Sequence, residues 1–197
     1  MAKFRSQTEL RTGWAEYLAQ PEKMVWVDLG AGTRVQVNTG CSFIWEYFGL
    51  ALKNSGYFME NKICYGYCNR QNTNNKANKS MHAYGIAVDI NSTYNPNIHR
   101  NGTPRFSSST NQSQRQKDVV AKVADTDFTP EIIESIRKLT TPNGYRVFSW
   151  GGDWGHVKVI DSMHFELACI PTDIATMTQI FQPGVRAPAV RPQGILV

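Results

Sequence analysis

A chain of 197 residues with 41% hydrophobic and 11% aromatic residues is the size of one domain and can bury a core, which excludes global disorder. Its net charge of +5 favours polyanionic surroundings, but no basic run is interleaved with aromatics and no helix-turn-helix or zinc-finger spacing occurs, so nucleic acid is not an expected partner. No apolar run approaches the ~20 residues that span a bilayer, and the N-terminus lacks a secretory stretch, so synthesis in a cytoplasm without a signal peptide is expected.

In chain order, Glu9 to Ala19 reads as a helix weakened at Gly13 and stopped before Pro21. Met24 to Leu29 reads as a strand, with Gly30-Ala31-Gly32 a turn that carries no complete dinucleotide or phosphate-loop fingerprint. Ser42 to Lys53 is amphipathic at helical spacing, with Ile44, Phe48 and Leu52 inward and Gly56 as a stop. Residues 69–79 and 91–117 are rich in Asn, Ser, Thr and Gln and read as long surface loops, a type that is often functional. Ile86 to Ile90 is a strand. Thr129-Pro130-Glu131 starts a helix whose buried stripe is Ile132, Ile133, Ile136 and Leu139. Strands follow over Tyr145 to Trp150 and Met163 to Leu167, and a last helix over Thr172 to Phe181. The single domain is expected over 1–182, with 183–197 a proline-rich extended tail and no internal repeats. Cys41, Cys64, Cys68 and Cys169 lack the spacing of a metal knuckle and read as reduced, structural thiols.

Two motifs carry the chemistry. The first runs Ser80-Met81-His82-Ala83-Tyr84-Gly85-Ile86-Ala87-Val88-Asp89. The second is Trp150-Gly151-Gly152-Asp153-Trp154, followed by Asp161-Ser162-Met163-His164-Phe165-Glu166. His82, Asp89 and His164 are two imidazoles and a carboxylate, a donor set that suits zinc with a fourth position open. Asp161, three residues before His164, could take a proton from water there. Alternation along a strand puts Asp89 on the face of Ala87, and His164 with Glu166, which becomes a candidate to orient a ligand histidine. Any one of these residues has a plainer reading: a structural histidine, a turn-capping Asp89, an Asp161 that merely opens its strand. Their concentration beside unusual Gly and Trp spacing favours the site. His99 reads as solvated, and His156 as a neighbour of the second motif.

Together the motifs, from about Tyr65 to Leu167, resemble the zinc D-alanyl-D-alanine carboxypeptidases and L-alanyl-D-glutamate endopeptidases. The later part is most similar to the phage-lysin branch, which cuts peptidoglycan stem peptides. The resemblance implies that His82, Asp89 and His164 are zinc ligands and Asp161 the catalytic base. It also implies that Arg70 holds substrate or its oxyanion. Ser80, Tyr84 and Trp154 are expected to line the substrate groove, and Glu166 to stand behind the metal. The implied fold is α+β, a small antiparallel sheet carrying the ligands with helices packed against it. Implied partners are bacterial peptidoglycan peptides and anionic wall polymers, reached as a released lysin or a virion or phage-tail component. The endopeptidase is preferred because the base is Asp and the Trp-Gly-Gly-x-Trp element is present. A D-Ala-D-Ala carboxypeptidase, a zinc-holding binding module without turnover, or a virion structural protein with an accessory hydrolase are the alternatives.

Overall fold

The computed structural model describes residues 2–175 and Met177. It is α+β, as expected. In chain order the elements are α1 (Gln7–Gly13), β1 (Met24–Gly30), β2 (Thr33–Asn38), α2 (Ser42–Asn54), β3 (Ala87–Asp89), β4 (Asn97–Ile98), α3 (Gln112–Val120), α4 (Pro130–Arg137), β5 (Phe148–Trp150), β6 (Ile160–Asp161), β7 (His164–Leu167) and α5 (Pro171–Ile174). The tail at 183–197, and the end of the helix expected over Thr172 to Phe181, lie outside the described residues.

The central sheet has the antiparallel order β3-β7-β5. Its two faces differ because side chains alternate along each strand. Phe148, Trp150, Phe165 and Leu167 share one face through the pairs Phe148↔Leu167 and Trp150↔Phe165. Phe48 of α2 packs there, its ring 5.0 Å from those of both Phe148 and Phe165. Ile44, Phe48 and Leu52, the stripe that the spacing predicts, are buried, and Trp45 joins them, so α2 closes this face. α4 adds Ile132, Ile133 and Ile136; Thr129 Oγ1 caps it by accepting from the Ile132 N–H, and Pro130 occupies the first helical position. The opposite face of the sheet carries Ala87, Asp89, His164 and Glu166.

Several elements depart from the sequence reading. The first helix stops at Gly13, where a side chain would collide with Ile170, and only a short 3-10 turn, Ala15–Tyr17, follows. β2 completes an antiparallel hairpin with β1 that was not anticipated. Most instructive is α3, which lies largely within the expected loop at 91–117. It is nearly all polar, and it is held by a cap and a buried cation rather than by an apolar stripe. Asn111 accepts from the Gln114 N–H, and Arg115, only 4% exposed, donates to the carbonyls of Asp127 and Thr110 at 2.6 and 2.7 Å. Asn95 reaches Asp127 at 2.9 Å and the Ile90 carbonyl at 3.0 Å, while Arg105 pairs with buried Asp125 at 2.7 Å. This stretch is therefore riveted to the end of β3. All four cysteines are free; three are buried as expected, whereas Cys68 is exposed.

Candidate metal centre

His82 sits on a 3-10 turn, Met81–Tyr84, immediately before β3. Ser80 caps the turn, its hydroxyl accepting from the His82 N–H, and Gly85 ends it in the left-handed region at φ +66°. A side chain at Gly85 would also lie 2.6 Å from the Asn38 nitrogen, so glycine is required twice over. The turn drops the chain straight into Ala87–Asp89.

β3 then pairs with β7 in the register Asp89↔His164 and Ala87↔Glu166. The flanking bonds are Ile90 N–H to Met163 O and Leu167 N–H to Ile86 O, both 2.9 Å. They make these two pairs non-hydrogen-bonded ones, in which facing side chains approach most closely. On its other edge Asp89 exchanges backbone bonds with Tyr65 at 2.8 and 2.9 Å. Ala87, having almost no side chain, leaves the space beside Asp89 open.

The three donors converge. His82 Nε2 lies 3.2 Å from His164 Nδ1 and 3.3 Å from Asp89 Oδ1, and His164 Nδ1 lies 3.1 Å from that same oxygen. Zinc bonds of about 2.0–2.1 Å in tetrahedral geometry separate neighbouring donors by about 3.3–3.4 Å. The triangle therefore fits one face of such a site. The remaining ring nitrogens are engaged elsewhere. His82 Nδ1 is 2.7 Å from the Gly66 carbonyl, and His164 Nε2 is 3.1 Å from Glu166 Oε2. An oxygen that can only accept holds the N–H on that nitrogen, so His82 Nε2 and His164 Nδ1 are the nitrogens turned to the centre, and a metal would take the Nδ1 position now shared as a proton with Asp89. Among the described residues, this trio is the one group of His, Cys, Asp and Glu with suitable donors gathered within 4.8 Å.

Electrostatics reinforces the grouping. Burial alone would lower the pKa of His164, but hydrogen bonds and charge from Asp89 and Glu166 outweigh it and push the imidazole up to about 10. Burial alone would raise that of Asp89, yet the two imidazoles hold it well below the usual carboxylate range. Asp161 lies on β6, opposite Asn97 of β4. Burial raises its pKa, with the Asp89 charge adding and His164 opposing, so Asp161 stands within electrostatic reach of the trio. Its Oδ1 is buried without a hydrogen-bond partner, an expensive state for a carboxylate outside a functional site. Gly151 permits this closeness: a side chain there would strike the Asp161 carbonyl and come 3.2 Å from His164 Cβ.

The other expected residues separate. The Trp154 ring lies 5.1 Å from that of His164 and stays partly exposed, forming a wall beside the centre. Ser80 and Tyr84, expected to line the groove, are instead only 4% and 5% exposed. The Ser80 hydroxyl is committed to the cap, and Tyr84 packs in the core. Arg70 joins the turn through its carbonyl, which accepts from the Ser80 N–H at 3.1 Å, while its guanidinium meets Thr73 Oγ1 at 3.5 Å. Trp150 is core, its indole N–H donating to the Ser162 carbonyl, and Asp153 pairs with Arg137. His99 and His156 are exposed and outside the cluster. Gln7 was missed: its amide donates to Glu166 Oε1 at 2.7 Å from a helix far away in sequence.

Residues 73–167 match the model of a family described as D-alanyl-D-alanine carboxypeptidase. The match covers a little under half of the chain and includes all three donors, Asp161, Trp154 and Glu166, but not Arg70 or Gln7. No curated protein and no solved structure matches.

Proposed function

We propose that this protein is a zinc peptidase of bacterial peptidoglycan stem peptides. The observation that carries the reading is the triangle of His82 Nε2, Asp89 Oδ1 and His164 Nδ1, each with its other polar atom or backbone already tied. Similarity of residues 73–167 to the carboxypeptidase family supports the same substrate chemistry.

In this reading His82, Asp89 and His164 hold the ion. Bound zinc supplies Lewis acidity and makes water nucleophilic at neutral pH. Asp161 offers an unpaired Oδ1 to the proton of the attacking water and returns that proton to the departing amine. Burial suits it to both halves of that task, because a raised pKa makes the carboxylate a better base and its conjugate acid a usable donor. Trp154 shields one side of the centre from solvent. Arg70 is assigned to the carboxylate or developing oxyanion of the substrate. No acyl-enzyme is required, since no nucleophilic side chain takes part.

The finer form of the reading is an L-alanyl-D-glutamate endopeptidase acting at the wall, as a released lysin or carried in a virion. Asp at the base position and the Trp150 to Trp154 element support it. The family description favours removal of a terminal D-alanine instead. Zinc-loaded protein incubated with defined muropeptides, and with peptides ending in D-Ala-D-Ala, separates the two when products are weighed by mass spectrometry. Cleavage between L-Ala and D-Glu that disappears with chelation and returns with zinc is the expected result. Loss of one alanine selects the carboxypeptidase, and intact substrates throughout would contradict both.

A further inference from the structure

The reading of His82, Asp89 and His164 as a zinc site leaves open what holds the buried carboxylate behind it. We infer that Gln7, on the first helix and outside the family match, is a positioning residue for the metal site. It acts through Glu166 on His164.

The chain of contacts is short and directional. Gln7 Nε2 donates to Glu166 Oε1 at 2.7 Å, and Glu166 Oε2 lies 3.1 Å from His164 Nε2. Glu166 is 3% exposed, so rotation of its carboxylate away from His164 would bury an oxygen without a partner. The Gln7 amide occupies the outer oxygen and leaves the inner one for the imidazole N–H. A fixed Nε2–H keeps His164 Nδ1, the nitrogen that would bind the metal, turned toward Asp89 and His82.

The helix that presents Gln7 is itself anchored on the far end of β7. The Trp14 indole donates to the Cys169 carbonyl at 2.9 Å, Arg5 pairs with buried Asp173 at 2.7 Å, and Leu10 is fully packed. A Ser6–Glu9 capping box sets where the helix starts, and hence where Gln7 falls. These contacts make α1 a strut from the N-terminal segment to the ligand strand.

Gln7 is itself exposed, and that allows a sharp test. Gln7→Ala removes the donor but admits water to Glu166 Oε1. Gln7→Met nearly preserves the shape, donates nothing and blocks that water. A positioning role therefore orders zinc affinity as wild type, then Ala, then Met, whereas simple packing reverses the two variants. Zinc dissociation constants are measured by competition with a chromophoric chelator, alongside melting of the metal-free proteins. The expected losses are about twofold to threefold for Ala and about tenfold for Met, the low end for a residue behind a ligand because Gln7 is solvent-facing. Metal-free melting should stay near wild type for Ala and fall slightly for Met, whose Glu166 Oε1 is left unpaired. Equal affinities in wild type and Gln7→Met, or Met binding more tightly than Ala, would overturn the role while leaving the peptidase reading intact. A wild-type protein that takes up no zinc would overturn both. Should Gln7→Met fail to fold, the wild-type side-chain amide signals decide. Shifted, exchange-protected Gln7 Nε2 protons support the bond, and solvent-averaged ones overturn it.

Discussion

His82 and His164 turn different nitrogens toward one another: Nε2 of the first lies 3.2 Å from Nδ1 of the second. Each choice is dictated by an acceptor behind the ring, the Gly66 carbonyl for one and the Glu166 carboxylate for the other. The centre is thus pre-organised by groups that never touch a metal, and replacing those acceptors should weaken binding without removing a ligand.

Without metal, His164 is held as an imidazolium between two carboxylates, its pKa raised to about 10. A folded pKa above the unfolded value of about 6.5 contributes stability that is full below that pH. The contribution is then lost as pH rises through about 10. Metal-free protein should therefore lose stability from neutral to alkaline pH. Zinc must displace the same proton, so affinity should climb by about tenfold per pH unit below that value. Calorimetry in buffers of differing ionisation heat should show close to one proton released per zinc near neutrality. Release of none would contradict the assignment.

Asp161→Asn should keep zinc and lose turnover by about 10²-fold or more, the usual scale for general acid–base catalysis. The amide leaves the three ligands untouched and cannot take the proton. Zinc content and muropeptide cleavage are measured on one preparation; normal metal with wild-type turnover would remove Asp161 from the chemistry.

Gly151→Ala tests the closeness of Asp161 and His164. The added carbon would sit 3.0 Å from Asp161 Cβ and 3.2 Å from His164 Cβ, so β6 and β7 must move apart. A loss of about 1–3 kcal/mol in stability is expected, the range for overpacking, together with weaker zinc binding. Unchanged melting and affinity would show that the two strands separate freely.

Phe48→Ala addresses the sheet from its other face. Its ring lies 5.0 Å from those of Phe148 and Phe165, so truncation opens a cavity directly beneath the ligand strand. Chemical denaturation should report a loss of about 3–5 kcal/mol. A loss below 1 kcal/mol would mean α2 does not carry the sheet.

The convergence of His82, Asp89 and His164 was legible because period-two alternation puts Asp89, and His164 with Glu166, on predictable faces, and because the spacing of the two motifs is unusual. What the alternation could not supply was depth. Ser80 and Tyr84 flank His82 in sequence, yet the 3-10 turn rotates one into a capping bond and the other into the core. α3 escaped because its stability comes from Asn111 and from the carbonyls gathered around Arg115, which hydrophobic periodicity does not register. Gln7 escaped because a contact across 159 positions leaves no local signature.

Zinc-edge X-ray absorption on protein loaded with one equivalent of zinc reads the ligand set itself. The expected spectrum shows two imidazoles and oxygen ligands at about 2.0–2.2 Å with no sulfur. His82→Ala should lose one imidazole contribution along with most of the affinity. A sulfur shell at about 2.3 Å would shift the site to the cysteines. That result, or zinc that fails to bind stoichiometrically, would contradict a centre built from His82, Asp89 and His164.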